Sequence, residues 1–250
     1  MSEHRTLLHH LPNGITCLNL FCGCLSVVAS FNGQMSVACY FIFAAAIFDF
    51  SDGFAARLLK AYSTIGKELD SLADVISFGI APASIMFVML LSASEAQGLP
   101  VAMYTSGWYV SVAAFLIAVF SAIRLAKFNI DERQTDSFIG LPTPANALFI
   151  CSLSFASNGI GCLASITGNM YFLLGITVLF SYLLVAELPL FSLKFKSFDW
   201  KSNKTRYVFL GLSALLLIVF HWTGLAAAIL TYILLSVIVK ALCNKKSMPS

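Results

Sequence analysis

The most constraining feature of this sequence is a series of long apolar segments that recurs along almost its whole length. The chain has 250 residues, of which 59% are hydrophobic and only 11% are charged, whereas a soluble domain carries about 25% charged residues. A membrane-spanning helix needs about 20 apolar residues, and inside lipid the backbone must satisfy all of its own hydrogen bonds. The sequence therefore predicts an all-α, polytopic bundle of transmembrane helices without a soluble domain.

About eight apolar segments have roughly the length that a spanning helix requires. The predicted helices are 15–31, 35–59, 65–92, 104–128, 144–161, 171–193, 207–221 and 224–242. They divide the chain into four parts: a short polar segment on the membrane surface (1–14), a helical core (15–193), a basic loop (194–206), and two C-terminal helices with a tail (207–250).

The basic residues indicate the orientation of the bundle. All 15 Lys and Arg residues lie in loops or helix ends that alternate threading places on one side, and the opposite loops carry none. By the positive-inside rule the basic side is cytoplasmic. We therefore expect both termini in the cytoplasm, contact with membrane lipids, and no nucleic-acid partner.

The stretch that bears most on function runs from Asp49 to Asp74. Asp49 and Asp52 are three residues apart on one predicted helix, and Asp70 and Asp74 are four apart on the next, so each pair shares a helix face. The segment 60–64 between them is long enough to turn the chain back. A carboxylate near a bilayer core costs roughly 2.5–3.5 kcal/mol on insertion scales, so these acids mark a candidate functional site.

Two antiparallel helices would bring the four carboxylates together, and they could not all stay ionised without cations. Oxygen-only ligands favour a hard ion such as Mg²⁺ or Mn²⁺, and four Asp suffice for two ions that hold a phosphoryl group. Gly53 and Gly66 leave room for a ligand, and Arg57 offers a planar donor fork suited to phosphate. The alternative is a buried salt-bridge cluster in which Arg57, Lys60 and Lys67 neutralise the acids.

The pattern D-x-x-D-G-x-x-A-R, followed after eight residues by G-x-x-x-D-x-x-x-D, resembles the signature of the CDP-alcohol phosphotransferase family. The matching residues are Asp49, Asp52, Gly53, Ala56, Arg57, Gly66, Asp70 and Asp74. The resemblance implies an integral membrane enzyme, homodimeric and located in a bacterial inner membrane, that transfers the phosphoryl-bearing part of a CDP-linked lipid to a hydroxyl and releases CMP. It also implies that Gly53, Ala56, Arg57 and Gly66 contact the CDP-lipid.

A polar stripe opens the first predicted helix. Asn13, Thr16 and Asn19 are three residues apart on an otherwise apolar helix. Such a stripe either forms hydrogen bonds between helices or, by resemblance to the P-N-x-x-T-x-x-N entry of this family, lies near the cytidine nucleotide. We expect Asn13 and Thr16 to contact the nucleotide and Asn19, which lies deeper, to be structural.

Three later segments are similar to the membrane-spanning phosphatidylserine synthases of this family: S-F-G-I-A-P-A (77–83), R-L-A-K-F-N (124–129) and F-I-G-L-P-T-P-A (138–145). The resemblance implies that CDP-diacylglycerol and L-serine react to give phosphatidylserine and CMP. Asp74 is then the best candidate base for the serine hydroxyl. Arg124 and Lys127 are either anchors at the membrane surface or a cationic pocket that binds the serine carboxylate.

Two other functions remain open on the sequence. One is a sibling transferase that uses glycerol 3-phosphate or inositol as the acceptor. The other is a membrane cation transporter with an acidic site, which explains intramembrane Asp residues but not the set spacing of Gly53, Ala56, Arg57 and Gly66. Measurement of CMP release with each acceptor separates the two transferases, and metal flux without CMP release identifies the transporter.

Overall fold

The computed structural model describes residues 2–61, 63–130, 137–157, 159, 162–191 and 199–246. Within these ranges each of the eight predicted segments is helical over most of its length, which confirms the all-α bundle. The helices are α1 (Ser2–Phe31), α2 (Met35–Leu59), α3 (Thr64–Asp74), α4 (Ala81–Ala96), α5 (Ser106–Val112), α6 (Leu116–Ile130), α7 (Thr143–Ser157), α8 (Cys162–Thr167), α9 (Met170–Val185), α10 (Trp200–Phe220) and α11 (Gly224–Lys246). A π-helical segment, Val75–Ile80, joins α3 to α4, and short 3-10 turns join α5 to α6 and α10 to α11.

Five helical segments in the described part of the chain are long and apolar enough to cross a membrane. They are His10–Phe31, Met35–Leu59, Thr64–Ala96, Ser106–Ile130 and Asn203–Val239. The last of these contains both helices of the α10–α11 hairpin, which reverses at His221, where φ is 49°. Helix α9 is apolar but shorter. Length and composition thus agree with a protein that crosses the membrane several times.

The predicted start of the first helix at residue 15 is wrong. Helix α1 begins at Ser2 and continues through Pro12 into the apolar segment, so residues 2–14 belong to the same helix, and their location at the membrane surface stays a prediction. The hydropathy of the chain locates only the part of a helix that lies in lipid. Residues 2–11 contain no Gly or Pro, and their helix-forming residues extend the same helix into water.

Boundaries in the second half of the chain also differ from those predicted. The helix expected to reach residue 193 ends at Val185, and strand β2 (Pro189–Phe191) then pairs antiparallel with strand β1 (Ser137–Ile139). Helix α10 begins at Trp200, so the basic segment predicted as a loop at 194–206 ends in a helix. The part of that loop at 194–198 lies outside the described residues.

The π-helical segment lies directly after Asp74 and packs closely on α1. The Ser77 hydroxyl donates a hydrogen bond to the backbone carbonyl of Asn19 at 2.9 Å. A Cβ atom built on Gly23 would lie only 2.8 Å from the Cα atom of Ser77. The missing side chain at Gly23 therefore allows α1 to approach the backbone of this segment, and π-helical turns are frequent at functional sites.

Replacing Gly23 by Ala should destabilise the protein. The added methyl group meets backbone atoms of Ser77, and overpacking of this kind typically costs about 1–3 kcal/mol. Gly14→Ala is the matched control on the same helix, because a Cβ there meets nothing within 4 Å and Ala favours a helix by up to about 1 kcal/mol. Thermal unfolding in detergent measures both variants, and equal losses of stability would contradict the close packing.

The α10–α11 hairpin is fixed to the helical core through its turn. The Ser152 hydroxyl on α7 donates to the carbonyl of Thr223 and accepts the N–H of Ala226, both at 3.0 Å. The Trp222 ring stacks on Phe43 of α2 with ring centroids 5.0 Å apart. These contacts hold the hairpin against α2 and α7 at one end of the bundle.

Candidate active site

A short turn between α2 and α3 sets up the site. Lys60 has a left-handed backbone (φ 52°), and its N–H donates to carbonyl groups in the last turn of α2. Ser63 begins α3 by accepting the N–H of Gly66 on its hydroxyl at 3.0 Å. The chain therefore reverses between Leu59 and Thr64, as the sequence predicts, and the acidic faces of α2 and α3 meet.

The structure brings the four predicted acids together at this reversal. Carboxylate oxygens of Asp49, Asp70 and Asp74 all lie within 4.8 Å of one another. Asp52 is buried, and its charge interacts with the charges of the other three. We call these four residues the aspartate cluster.

Polar residues of α1 contact the aspartate cluster from the side. The Thr16 hydroxyl lies 2.6 Å from Oδ2 of Asp52, and the Asn19 amide donates to Oδ1 of Asp74 at 3.4 Å. The sequence predicts a structural role for Asn19, and its bond to Asp74 is a hydrogen bond between helices of the kind expected for this stripe. The three-residue spacing of Asn13, Thr16 and Asn19 indicates this contact, because it places their side chains on one stripe of α1.

The basic residues near the turn do not support the salt-bridge alternative. Arg57 and Lys60 are exposed, and the Lys67 amino group donates to the backbone carbonyl of Asn129 on α6 at 3.4 Å. The positive charges expected to neutralise the acids therefore point to solvent or to a backbone carbonyl.

The chemistry of the aspartate cluster fits divalent metal ions. All four side chains offer only oxygen atoms, the donors that hard cations such as Mg²⁺ and Mn²⁺ prefer. Oδ1 of Asp70 and Oδ1 of Asn19 are buried and have no hydrogen-bond partner among the described residues. Several carboxylates in such close contact repel one another unless cations or protons balance them, so the residues present fit a metal site.

A cavity of about 210 Å³ adjoins the aspartate cluster. Asp52 and Asp70 form part of its wall. The wall also includes most of the residues predicted to contact the CDP-lipid, namely Asn13, Thr16, Gly53, Ala56 and Gly66. A cavity that joins an acidic cluster to this set can hold a nucleotide with its phosphates directed at the acids.

The two glycines of the cavity have different surroundings. A Cβ on Gly53 would meet nothing within 4 Å, whereas a Cβ on Gly66 would lie 2.9 Å from Oδ1 of Asn13 and from Oγ of Ser63. Gly66 therefore permits close packing of α3 on α1, and Gly53 leaves part of the cavity open for a ligand.

Arg57 and Lys127, two of the cationic residues predicted to bind substrate, do not line this cavity. Arg57 is in the last turn of α2, is exposed and does not line the cavity, and Lys127 is exposed near the end of α6. Lys67, which sequence reasoning considered only as a neutralising charge, lines the cavity. Its position next to Gly66, a predicted contact of the CDP-lipid, could have indicated that Lys67 lines the cavity.

Arg124 lies inside the bundle. It is only 7% exposed, its charge interacts with that of Asp74, and its guanidinium carbon lies 5.9 Å from the ring centre of Phe128. Lys127 was expected to face the same way. Residues three apart on a helix differ by about 60° in direction, which here separates a buried guanidinium from an exposed amino group.

Sequence comparison assigns this arrangement to a family. The family model described as CDP-alcohol phosphatidyltransferase matches residues 9–183, which is more than half of the chain. The chain belongs to the CDP-alcohol phosphatidyltransferase family. The matched range contains the aspartate cluster, the adjoining cavity and Arg124, while α10 and α11 lie outside it. With its membrane-capable helices, this CDP-alcohol phosphatidyltransferase is a multi-pass integral membrane protein.

Curated relatives within the family are named for serine chemistry. The chain is 35% identical over 153 residues to the CDP-diacylglycerol–serine O-phosphatidyltransferase of Bacillus subtilis (strain 168), covering 61% of this chain and 80% of that protein. It is 34% identical over 183 residues to the enzyme of the same name from Helicobacter pylori (strain J99), covering 72% and 71%. It is also 34% identical over 145 residues to the archaetidylserine synthase of Methanothermobacter thermautotrophicus (strain Delta H), covering 57% and 56%.

Proposed function

We propose that this CDP-alcohol phosphatidyltransferase transfers the phosphatidyl group of CDP-diacylglycerol to the hydroxyl of L-serine, giving phosphatidylserine and CMP. The observation that carries the proposal is the aspartate cluster at the wall of a cavity that also contains the predicted nucleotide contacts. Serine as the acceptor is supported by the names of several relatives that are 34–36% identical to this chain.

The cavity would hold the CDP part of the lipid. Asn13 and Thr16 offer hydrogen-bonding groups from α1, and the open space at Gly53 lets the nucleotide approach the backbone of α2. Lys67 lines the cavity from α3 and would offer its positive charge to the phosphates in exchange for its hydrogen bond to the Asn129 carbonyl. The contact of Arg57 with the nucleotide phosphate stays a prediction, since its side chain lies at the exposed end of α2.

The aspartate cluster would hold two divalent ions, Mg²⁺ or Mn²⁺, with Asp49, Asp52, Asp70 and Asp74 as ligands. Such ions neutralise a diphosphate and stabilise the charge that develops on its oxygens. Asp52 and Asp70 bring their carboxylates to the cavity wall, and Asp49 and Asp74 would complete the ligand set beside Asp70. Thr16 and Asn19 orient two of the carboxylates by hydrogen bonds.

The reaction would be a direct displacement. The serine hydroxyl oxygen attacks the phosphorus that bears the diacylglycerol, a new P–O bond forms, and the bond to CMP breaks so that CMP leaves with the electron pair. The hydroxyl proton passes to Asp74, whose carboxylate is oriented by the Asn19 amide. Arg124 would bind the serine carboxylate beside Asp74, while a contribution from the exposed Lys127 stays a prediction.

The site would open to the cytoplasm. The basic residues all lie on the side that the positive-inside rule assigns to the cytoplasm, and the aspartate cluster lies near the turn that contains Lys60 on this side. CDP-diacylglycerol would then enter from the cytoplasmic leaflet and serine from the cytoplasm. A homodimer, which the family resemblance implies, stays a prediction.

The test is an assay of the purified full-length protein in detergent with CDP-diacylglycerol, labelled L-serine and either Mg²⁺ or Mn²⁺. We expect CMP release that depends on serine, label transfer to lipid, loss of both with a chelator, and recovery when the metal is restored. CMP release with glycerol 3-phosphate or inositol but not with serine would identify a sibling transferase. Metal transport without CMP release would refute transferase activity.

A further inference from the structure

Six buried polar atoms without partners in the described part of the chain lie on α6, α7 and α9. They are Ser121 Oγ and Arg124 Nε on α6, Thr143 Oγ1 and both amide atoms of Asn146 on α7, and Ser181 Oγ on α9. Their side chains are at least nine-tenths buried. Unpaired polar groups are costly inside protein or lipid, and most buried polar groups in native proteins are paired, so this set indicates a binding site.

The α6 members of this set face the π-helical segment that follows Asp74. The charge of Arg124 interacts with that of Asp74. Ser121 lies one turn deeper in the bundle on the same face of α6, and its Cβ atom would be 3.2 Å from a Cβ built on Gly79. The polar face of α6 therefore continues inward from the aspartate cluster along the π-helical segment.

The direction of Asn146 on α7 follows from the contacts of its neighbours. Phe149 stacks on Phe180 of α9 with ring centroids 3.8 Å apart, and the Cys39 thiol of α2 contacts the Cys151 carbonyl at 3.8 Å. Asn146 lies about 60° from Phe149 around the helix, and α7 also packs on α4 and on the π-helical segment. The Asn146 side chain is fully buried and so points into the bundle interior.

Thr143 extends the polar face of α7 toward α9. It precedes Asn146 by three residues and shares its face, and the nearby N–H of Leu141 donates to the carbonyl of Leu183 on α9 at 2.9 Å. Helix α9 also packs on α6, where Arg124 and Ser121 lie. The unpaired groups thus come from α6 and α7, which both pack on the π-helical segment, and from α9, which packs on both of these helices.

We propose that Asn146, with Thr143 beside it, forms the wall of the acceptor site opposite Arg124 and binds the ammonium group of the acceptor amino acid. This inference rests on the proposed function, because it assigns a role within the same reaction. The amide oxygen of Asn146 accepts hydrogen bonds from an ammonium group, and the guanidinium of Arg124 binds a carboxylate. A site with one donor for a carboxylate and one acceptor for an ammonium selects an amino acid over a polyol or a phosphate-bearing alcohol.

Asn146→Leu should separate binding from stability. Leu has a similar size and removes two unpaired polar atoms, so the thermal stability of the variant should equal or exceed that of the wild type. The KM for serine should rise about 10- to 100-fold, the effect of losing a hydrogen bond to a charged group, while the KM for CDP-diacylglycerol stays unchanged. Thr143→Val should act in the same direction with a smaller effect, and Ser152→Ala, a buried polar control on α7, should leave the KM for serine unchanged.

Acceptor analogues that lack one charged group of serine test which residue, Arg124 or Asn146, binds that group. Ethanolamine lacks the carboxylate of serine, and 3-hydroxypropionate lacks its ammonium group. Asn146→Leu should reduce the preference for serine over 3-hydroxypropionate and keep the preference over ethanolamine. Arg124→Gln should do the reverse, and the readout is the ratio of kcat/KM values for CMP release.

Three outcomes would overturn the assignment of Asn146: equal rises in both KM values, a loss of thermal stability or folding in Asn146→Leu, or an unchanged preference for serine over 3-hydroxypropionate. Failure of the proposed function is recognised separately, because the wild type would then release no CMP in response to serine. That result would overturn both proposals before any variant is compared.

Discussion

Asp70→Asn should abolish CMP release, with a loss on the order of 10³-fold or more, and leave the helical bundle folded. A carboxylate oxygen of Asp70 lies within 4.8 Å of carboxylate oxygens of Asp49 and Asp74. Asp70 also lines the cavity proposed for the CDP part of the substrate. Asn keeps the size of the side chain but removes one negative charge from the metal ligands. The measurement is the initial rate of CMP release at saturating substrates and metal.

Glu68→Gln is the matched control for this variant. Glu68 is on the same helix and is exposed, so its change to Gln removes the same charge without touching the aspartate cluster, and the rate should be that of the wild type. Equal losses of rate in the two variants would show that overall charge matters rather than the metal ligands. Full activity of Asp70→Asn would refute the proposed metal site.

Thermal stability gives a second readout of the same substitution. Without metal, Asp70→Asn should melt at or above the temperature of the wild type, because it removes repulsion from a crowded group of carboxylates. Added Mg²⁺ or Mn²⁺ should stabilise the wild type by binding only the folded state and should stabilise the variant less. An equal metal-induced shift in both proteins would contradict the participation of Asp70 in metal binding.

The helices and the meeting of the acids were predictable because each depends on local sequence. An apolar segment that must cross lipid has to be helical, and spacings of three and four residues place the paired acids on common helix faces. The short segment between Leu59 and Thr64 leaves room only for a reversal. These constraints act within a few turns of the chain, so the sequence alone determines them.

Features that depend on packing between distant helices could not be predicted. The ribbon of β1 and β2 joins residues more than 40 positions apart, and the π-helical segment reflects close contacts with α1 rather than a distinctive local composition. Arg124 and Lys127 have the same charge and neighbouring positions, but the packing of α6 buries only the first. Asn146 lies in an apolar segment, and only the structure shows that its amide has no partner among the described residues.

Gly53→Val should lower kcat/KM for CDP-diacylglycerol about 100-fold, the scale of loss expected when a substrate is displaced by about 1 Å. Gly53 lines the cavity beside the aspartate cluster, and a Cβ at this position meets no atom of the described residues within 4 Å. The new side chain would therefore occupy space that the proposed function assigns to the CDP part of the lipid. The expected result is a higher KM for CDP-diacylglycerol with an unchanged KM for serine.

The stability of this variant distinguishes ligand exclusion from misfolding. Since the side chain enters open space, Gly53→Val should melt like the wild type, and Val is at least as favourable as Gly within a helix. Gly175→Val is the control, because Gly175 lies on α9 outside this cavity and a Cβ there also meets nothing within 4 Å. A loss of activity in both variants, or a rise in the KM for serine alone, would place the CDP part of the substrate elsewhere.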